Sequence, residues 1–212
     1  MCWSKEVSFL SLAVGTCFNY ILWSTYPAAR QIAYFWQFIL LMQLFEGLSW
    51  IGKSIRSPHL SFVATVGAFL FNVTQPLFST AVMFSNMSTP IQYVAVVLCT
   101  VYTGLVIKGS WNKKFLPLYS STCRHLQLYW WSKWVDKSAY FLFCILFLIS
   151  AITYPTLGPF LVAFLFVTGA LSANMYRCSY GGIWCWFAAF GPVATYLYLH
   201  ATSKAGIRIA ES

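Results

Sequence analysis

Seven stretches of the chain are apolar for long enough to cross about 30 Å of hydrocarbon as helices: residues 7–25, 32–52, 60–84, 91–107, 139–154, 157–176 and 181–200. The fifth and sixth belong to one continuous run from Ala139 to Tyr176, too long for a single crossing. Tyr154-Pro155 and Gly158-Pro159 interrupt it, so a tight helical hairpin is expected there. Asn72-Val73-Thr74-Gln75-Pro76 lies inside the third run, where a proline removes one backbone donor and predicts a kink. The expected fold is all-α, a polytopic membrane protein with a single domain over residues 1–212 built as a bundle of seven transmembrane helices. Span lengths and polar positions do not repeat between the halves, so an inverted-repeat transporter architecture gains no support. Lys5 ahead of the first run imitates a signal peptide, yet Asn19 and Tyr20 interrupt that run and no small-residue cleavage site follows.

Composition agrees with this pattern. Of 212 residues, 59% are hydrophobic and only 8% charged, against roughly a quarter charged in soluble domains. So few charges cannot coat a water-soluble globule, which excludes a soluble enzyme. A disulfide scaffold is excluded as well, because the seven cysteines are an odd number and Cys17, Cys99, Cys144 and Cys185 sit in apolar runs as small hydrophobes.

Thirteen Lys and Arg face four acids, Glu6, Glu46, Asp136 and Glu211. Ten of the bases fall on the N-terminal side of the seven spans: Lys5, Lys53, Arg56, Lys108, Lys113, Lys114, Arg124, Lys133, Lys137 and Arg177. Only Arg30, Lys204 and Arg208 fall on the other. Positive charge collects in the cytoplasm, so the N-terminus is expected there and the C-terminus outside or lumenal. Asn86-Met87-Ser88 then lies on the non-cytoplasmic side as a formal glycosylation sequon, too close to the third span for use.

The one long connection, residues 108–138, interleaves Lys113, Lys114, Arg124, Lys133 and Lys137 with Trp111, Phe115, Tyr119, Tyr129, Trp130, Trp131 and Trp134. Indole and phenol rings favour the headgroup zone, and each cation near anionic cytoplasmic lipid contributes about 1 kcal/mol. Lys113, Lys114, Trp130, Trp131, Lys133, Trp134 and Lys137 are therefore expected to lie on the lipid surface, with Gln127 to Val135 as an extended ribbon or a short interfacial helix. The aromatic belt accounts for this loop better than single-stranded nucleic acid does.

Six of the spans carry no formal charge. The exception is Glu46, within Gln43-Leu44-Phe45-Glu46-Gly47-Leu48-Ser49-Trp50. A charged side chain in the bilayer costs at least about 2.5–3.5 kcal/mol, so it faces the bundle interior, pairs, or binds a proton. Gln43, Glu46 and Trp50 share one helical face, and Gly47 allows another backbone close. The topology brings Cys2, Ser4, Glu46, Trp50, Asn174, Trp184 and Cys185 to the cytoplasmic end, where they line one pocket if helices one, two, six and seven are neighbours.

Met-Cys-aromatic-Ser at the start, Glu-Gly-x-x-Trp in the second span and Trp-Cys opening the last span resemble an uncharacterised family of small multi-pass membrane proteins whose members often open Met-Cys-Phe-Ser-Ala-Thr-Ala-Ser. The matching positions are Cys2, Ser4, Ser8, Glu46, Gly47, Trp50, Trp184, Cys185, Ala188 and Ala189, while Trp3 and Lys5-Glu6-Val7 depart from that opening. The resemblance implies a topology and no activity.

Three functions fit the residues. A small transporter or channel would bind or relay a proton or cation at Glu46, with Gln43, Ser49 and Asn174 as neutral ligands and Trp50 and Trp184 beside them. A metal- or thiol-dependent membrane enzyme or sensor would hold zinc or copper on Cys2, Glu46 and Cys185, although no Cys-x-x-Cys or His-x-x-x-His accompanies them. A structural or lipid-binding subunit, able to oligomerise, would act through the basic aromatic loop. The last span has no Lys for a retinal Schiff base, and the reversed topology argues against receptor coupling.

Overall fold

The computed structural model describes residues 4–119, 126–154, 157–175, 184 and 186–204, and every regular element among them is helical. Helix α1 spans Lys5–Thr25, α2 Arg30–Ser54, α3 Pro58–Met83 and α4 Thr89–Ser110. A four-residue helix α5 (Trp130–Lys133), α6 (Lys137–Ile152), α7 (Gly158–Met175) and α8 (Gly191–Lys204) follow.

Local chemistry sets the ends. Ser4 caps α1 by accepting from the Val7 amide, and Ser57 caps α3 by accepting from Leu60, with Pro58 at the first helical position where its missing donor costs nothing. Asp136 accepts the Ser138 amide at 2.7 Å to start α6. That bond is also the main reason its carboxyl sits below the usual carboxylate range.

Among the described residues, four elements are long and apolar enough to cross a membrane: Lys5–Thr25, Pro27–Ser54, Pro58–Asn86 and Thr89–Ser110. The protein is thus an integral membrane protein, but seven helices of membrane length are not what the described residues show. Helix α6 has 16 residues, a rise of about 24 Å. The final apolar run is not continuous either. A turn at Ala189–Phe190 ends one helical stretch before α8 begins, because Pro192 enforces a new helix start and Gly191 presses its backbone on the Trp36 ring. The expected hairpin is present: α6 ends at Ile152, α7 begins at Gly158, and the Gly158 amide returns to Tyr154 O.

Helix α2 lies at the centre, packed on α1 and α3, and α6 covers α3 and α4 and joins α7. The interior of α1 is mostly small and polar, and α2 and α3 set Gln43, Glu46, Ser49, Ser61, Thr65 and Asn72 among large buried side chains such as Trp36 and Phe69. Ser8, Ser11, Gly15, Asn19 and Leu22 form the buried stripe of α1, while Leu10, Tyr20 and Ile21 face outward. Soluble proteins reverse this distribution. Here the outer medium is as apolar as a leucine side chain, so close backbone approach and hydrogen bonding hold the helices together. Asn19 Nδ2 donates to Ala33 O at 2.9 Å and Gln37 Oε1 at 3.1 Å, joining α1 to α2. The Trp36 indole donates to Thr195 Oγ1 at 3.0 Å, joining α2 to α8. Ser79 and Ser150 share a hydroxyl contact of 3.1 Å between α3 and α6.

One end of the bundle gathers the short connections. Asn86 donates to Gln31 Oε1 at 2.7 Å, and Tyr154 donates to Ala28 O. The opposite end holds Lys53, whose Nζ lies 4.9 Å from the Trp50 ring and 5.5 Å from that of Tyr119.

Candidate intramembrane polar site

Gln43, Glu46 and Ser49 recur every three residues along α2, and all three are fully enclosed. Glu46 is eight residues from the end of α2 at Ser54, about 12 Å inside the helix. Two close approaches fix the antiparallel register of α2 and α3. A Cβ on Gly52 would stand 2.7 Å from Ser61 Oγ and 3.0 Å from Ser61 N, and one on Gly67 would collide with the Phe45 ring. Ser49 is therefore level with Ala64 and Thr65, and Glu46 with Gly67 and Ala68. On the other flank Gly47 meets the Phe9 ring, and the Trp186 indole donates to Ser11 Oγ at 3.0 Å. The carboxyl thus occupies a layer bounded by α1, α2 and α3.

Between that layer and the Lys53 end lie three buried hydroxyls, Ser49, Thr65 and Ser61. None has a hydrogen-bond partner among the described residues. A buried hydroxyl left in this condition costs about 1–3 kcal/mol, which a water or a cation on the same line would remove.

Other expected members of this site are elsewhere. Asn174 is exposed and folds its amide back onto Ala170 O of its own helix at 2.9 Å. Topology shows which end of the bundle a residue reaches, but not whether its side chain meets protein or lipid. Trp184 stands 5.9 Å, ring to ring, from Phe147 and walls a cavity between α6 and α7 whose lining does not include Glu46. Trp50 is half-buried under Lys53. Cys2 and Cys185 lie outside the described residues, and among those described no three His, Cys, Asp or Glu side chains converge.

The long loop also departs from expectation. Lys113, Lys114, Lys133 and Lys137 are exposed, as a lipid-facing role requires. Trp130 is fully buried, with Leu118 and Leu126, and does not lie on the lipid surface. Trp131 and Trp134 are half-buried, Trp131 edge-on to Phe143 and Trp134 edge-on to Phe69 and Phe115. The Trp130 and Trp131 indoles both donate to Asn72 Oδ1, at 3.0 and 2.7 Å. Asn72 is 14 residues along α3 from Pro58, about 21 Å. The loop therefore dips into the bundle as a re-entrant plug, an arrangement that needs its backbone screened from lipid by protein. Tyr129 stitches the plug to the strand of chain before it, accepting from Leu116 N at 2.6 Å and donating to Leu116 O at 2.8 Å. Burial pushes its phenol up to about 12, partly offset by the Leu116 amide.

Asn72 is the interior polar residue whose two indole partners were not foreseen from the sequence. Its signal was present, since an asparagine at mid-membrane beside a proline needs partners. Pro76 disturbs the same stretch of backbone, and the buried Tyr102 hydroxyl from α4 serves Val73 O at 2.7 Å. The chain matches no family model, no curated protein and no solved structure.

Proposed function

We propose that the chain is a small seven-span transporter or channel in which Glu46 binds a proton or cation, reached from the cytoplasmic end through Ser49, Thr65 and Ser61. The observation that carries this reading is the line of three buried hydroxyls with unmet hydrogen-bonding capacity, leading from the enclosed carboxyl towards the end of α2. A route for protons or small cations needs such oxygens at intervals, and intramembrane acids mark ion pathways. Gln43 adds an amide to the same face. In this reading α6, α7 and the final helical stretch complete seven crossings. The excess of Lys and Arg on the N-terminal side sets that terminus in the cytoplasm. The exposed lysines 113, 114, 133 and 137 then meet anionic lipid.

The test is flux in liposomes reconstituted with purified protein. Wild type should show pH-dependent proton or cation movement, and Glu46→Gln should abolish it. Thr65→Val, with Glu46 intact, should slow it several-fold. Flux unchanged by Glu46→Gln rejects the reading.

A further inference from the structure

Away from Glu46, α6 and α7 diverge around a cavity of about 580 Å³. Its rim includes Phe141, Leu148 and Phe166, which are 65%, 39% and 69% exposed. Those side chains lie on the outer surface of two apolar helices, so in a membrane the cavity opens sideways into hydrocarbon. Its wall is aromatic, with Trp131, Tyr140, Phe143, Phe147 and Trp184, and no Asp, Glu, Lys or Arg is among the described residues of the lining.

The inner end is Asn72, only 2% exposed. An indole nitrogen can only donate, so the two tryptophans that bind Asn72 identify the atom they meet as its oxygen. The Nδ2 group is the part of this amide left for the cavity, and it donates to no described residue. A nearly enclosed amide whose donor meets no described residue, at the head of an apolar chamber, specifies the ligand's polar atom: an acceptor. The described wall offers no cation to a carboxylate or phosphate headgroup, and lateral access from lipid selects a lipophile. Several aromatic rings around one space favour a flat ring, which packs in offset or edge-on geometry, over a saturated body. The volume falls within the range of about 300–1,000 Å³ typical of small-molecule sites.

We propose that the α6–α7 cavity binds an uncharged prenylquinone-type lipid, its ring among Trp131, Phe143, Phe147 and Trp184, a ring carbonyl accepting from Asn72 Nδ2, and its tail leaving between α6 and α7. This site is independent of the Glu46 reading.

The experiment uses the full chain in phosphatidylcholine nanodiscs, titrated with ubiquinone carrying a two-isoprene tail and followed by tryptophan fluorescence. Saturable quenching with one site per chain is expected, because Trp131 and Trp184 form the wall. Gly169→Leu fills the chamber from α7, where a Cβ meets nothing closer than Trp184 Cδ1 at 3.9 Å, and should weaken binding at least tenfold. Asn72→Leu should do the same, and if that variant fails to fold, Gly169→Leu decides alone. Dioleoylglycerol or oleate at equal concentration should not displace the quinone. Quenching that rises linearly without saturation, equal binding by Gly169→Leu, or displacement by dioleoylglycerol overturns the proposal.

Discussion

Helices α2 and α6 are both apolar by composition, yet they pack by different rules. Around α2, rings such as Phe38 on Phe78 alternate with glycine, serine and threonine, and backbones close to the point where Gly52 has no room for a side chain. Around α6, beside the Ser79–Ser150 hydroxyl contact, rings from other elements make the contact: Trp131 against Phe143, and Phe35 and Trp184 against Phe147. The close approach at Gly52 and Gly67 leaves no space between α2 and α3, whereas α6 and α7 diverge around a chamber. The first mode encloses a carboxyl and a line of hydroxyls, whereas the second leaves a chamber open to lipid. In a bilayer, size and hydrogen bonding divide interior from exterior, and hydrophobicity does not.

The sharpest way to break this contrast is at Asn72, where the two regions meet. Asn72→Leu strands two indole donors, at about 1–3 kcal/mol each, and should release the loop plug. A fall in thermal midpoint by many degrees, with new protease sensitivity between residues 111 and 136, is the expected result. Gly52→Val probes the small-residue mode alone. Its extra methyls meet the Ser61 backbone, and overpacking of this kind costs about 1–3 kcal/mol, read as a lower midpoint in detergent. The same experiment on the aromatic side, Gly169→Ala, should be neutral or stabilising by up to about 1 kcal/mol, since space is present and alanine is the better helix former.

A milder effect concerns the plug itself. Tyr129 is raised to about 12 from an ordinary phenol near 10, so its neutral form is favoured by the fold. The associated stability is complete below about pH 10 and is lost as pH rises from there through 12. Comparing tyrosinate absorbance of wild type and Tyr129→Phe should locate the missing titration near 12, and a missing titration near 10 would show the plug to be open.

Much of this architecture was legible in the residues. Apolar runs at 7–25, 32–52, 60–84 and 91–107 correspond to α1–α4 within a few residues, because run length and terminal Ser and Pro are local signals. The prolines near 155 and 159 marked the hairpin for the same reason. Glu46 announced itself as the single acid in an uncharged setting. Three features were not legible. Trp130 and Trp131 belong to a pattern that reads equally well as an interfacial belt, and only the position of Asn72 decides between them. Asn174 was placed by topology at the end of its span but faces outward, since lipid and protein interior make the same demand on its neighbours. The break before Gly191 depends on the Trp36 ring, which is distant in sequence.

The bonds from Trp130 and Trp131 to Asn72 span 58 and 59 residues of sequence. During synthesis α3 therefore enters the bilayer well before its partners leave the ribosome, with an amide and a proline at its midpoint. Until α5 emerges, that helix is a provisional crossing. The loop that completes it acts as a late-arriving keystone, so that insertion of the third helix and folding of the chain beyond the fourth become one assembly step.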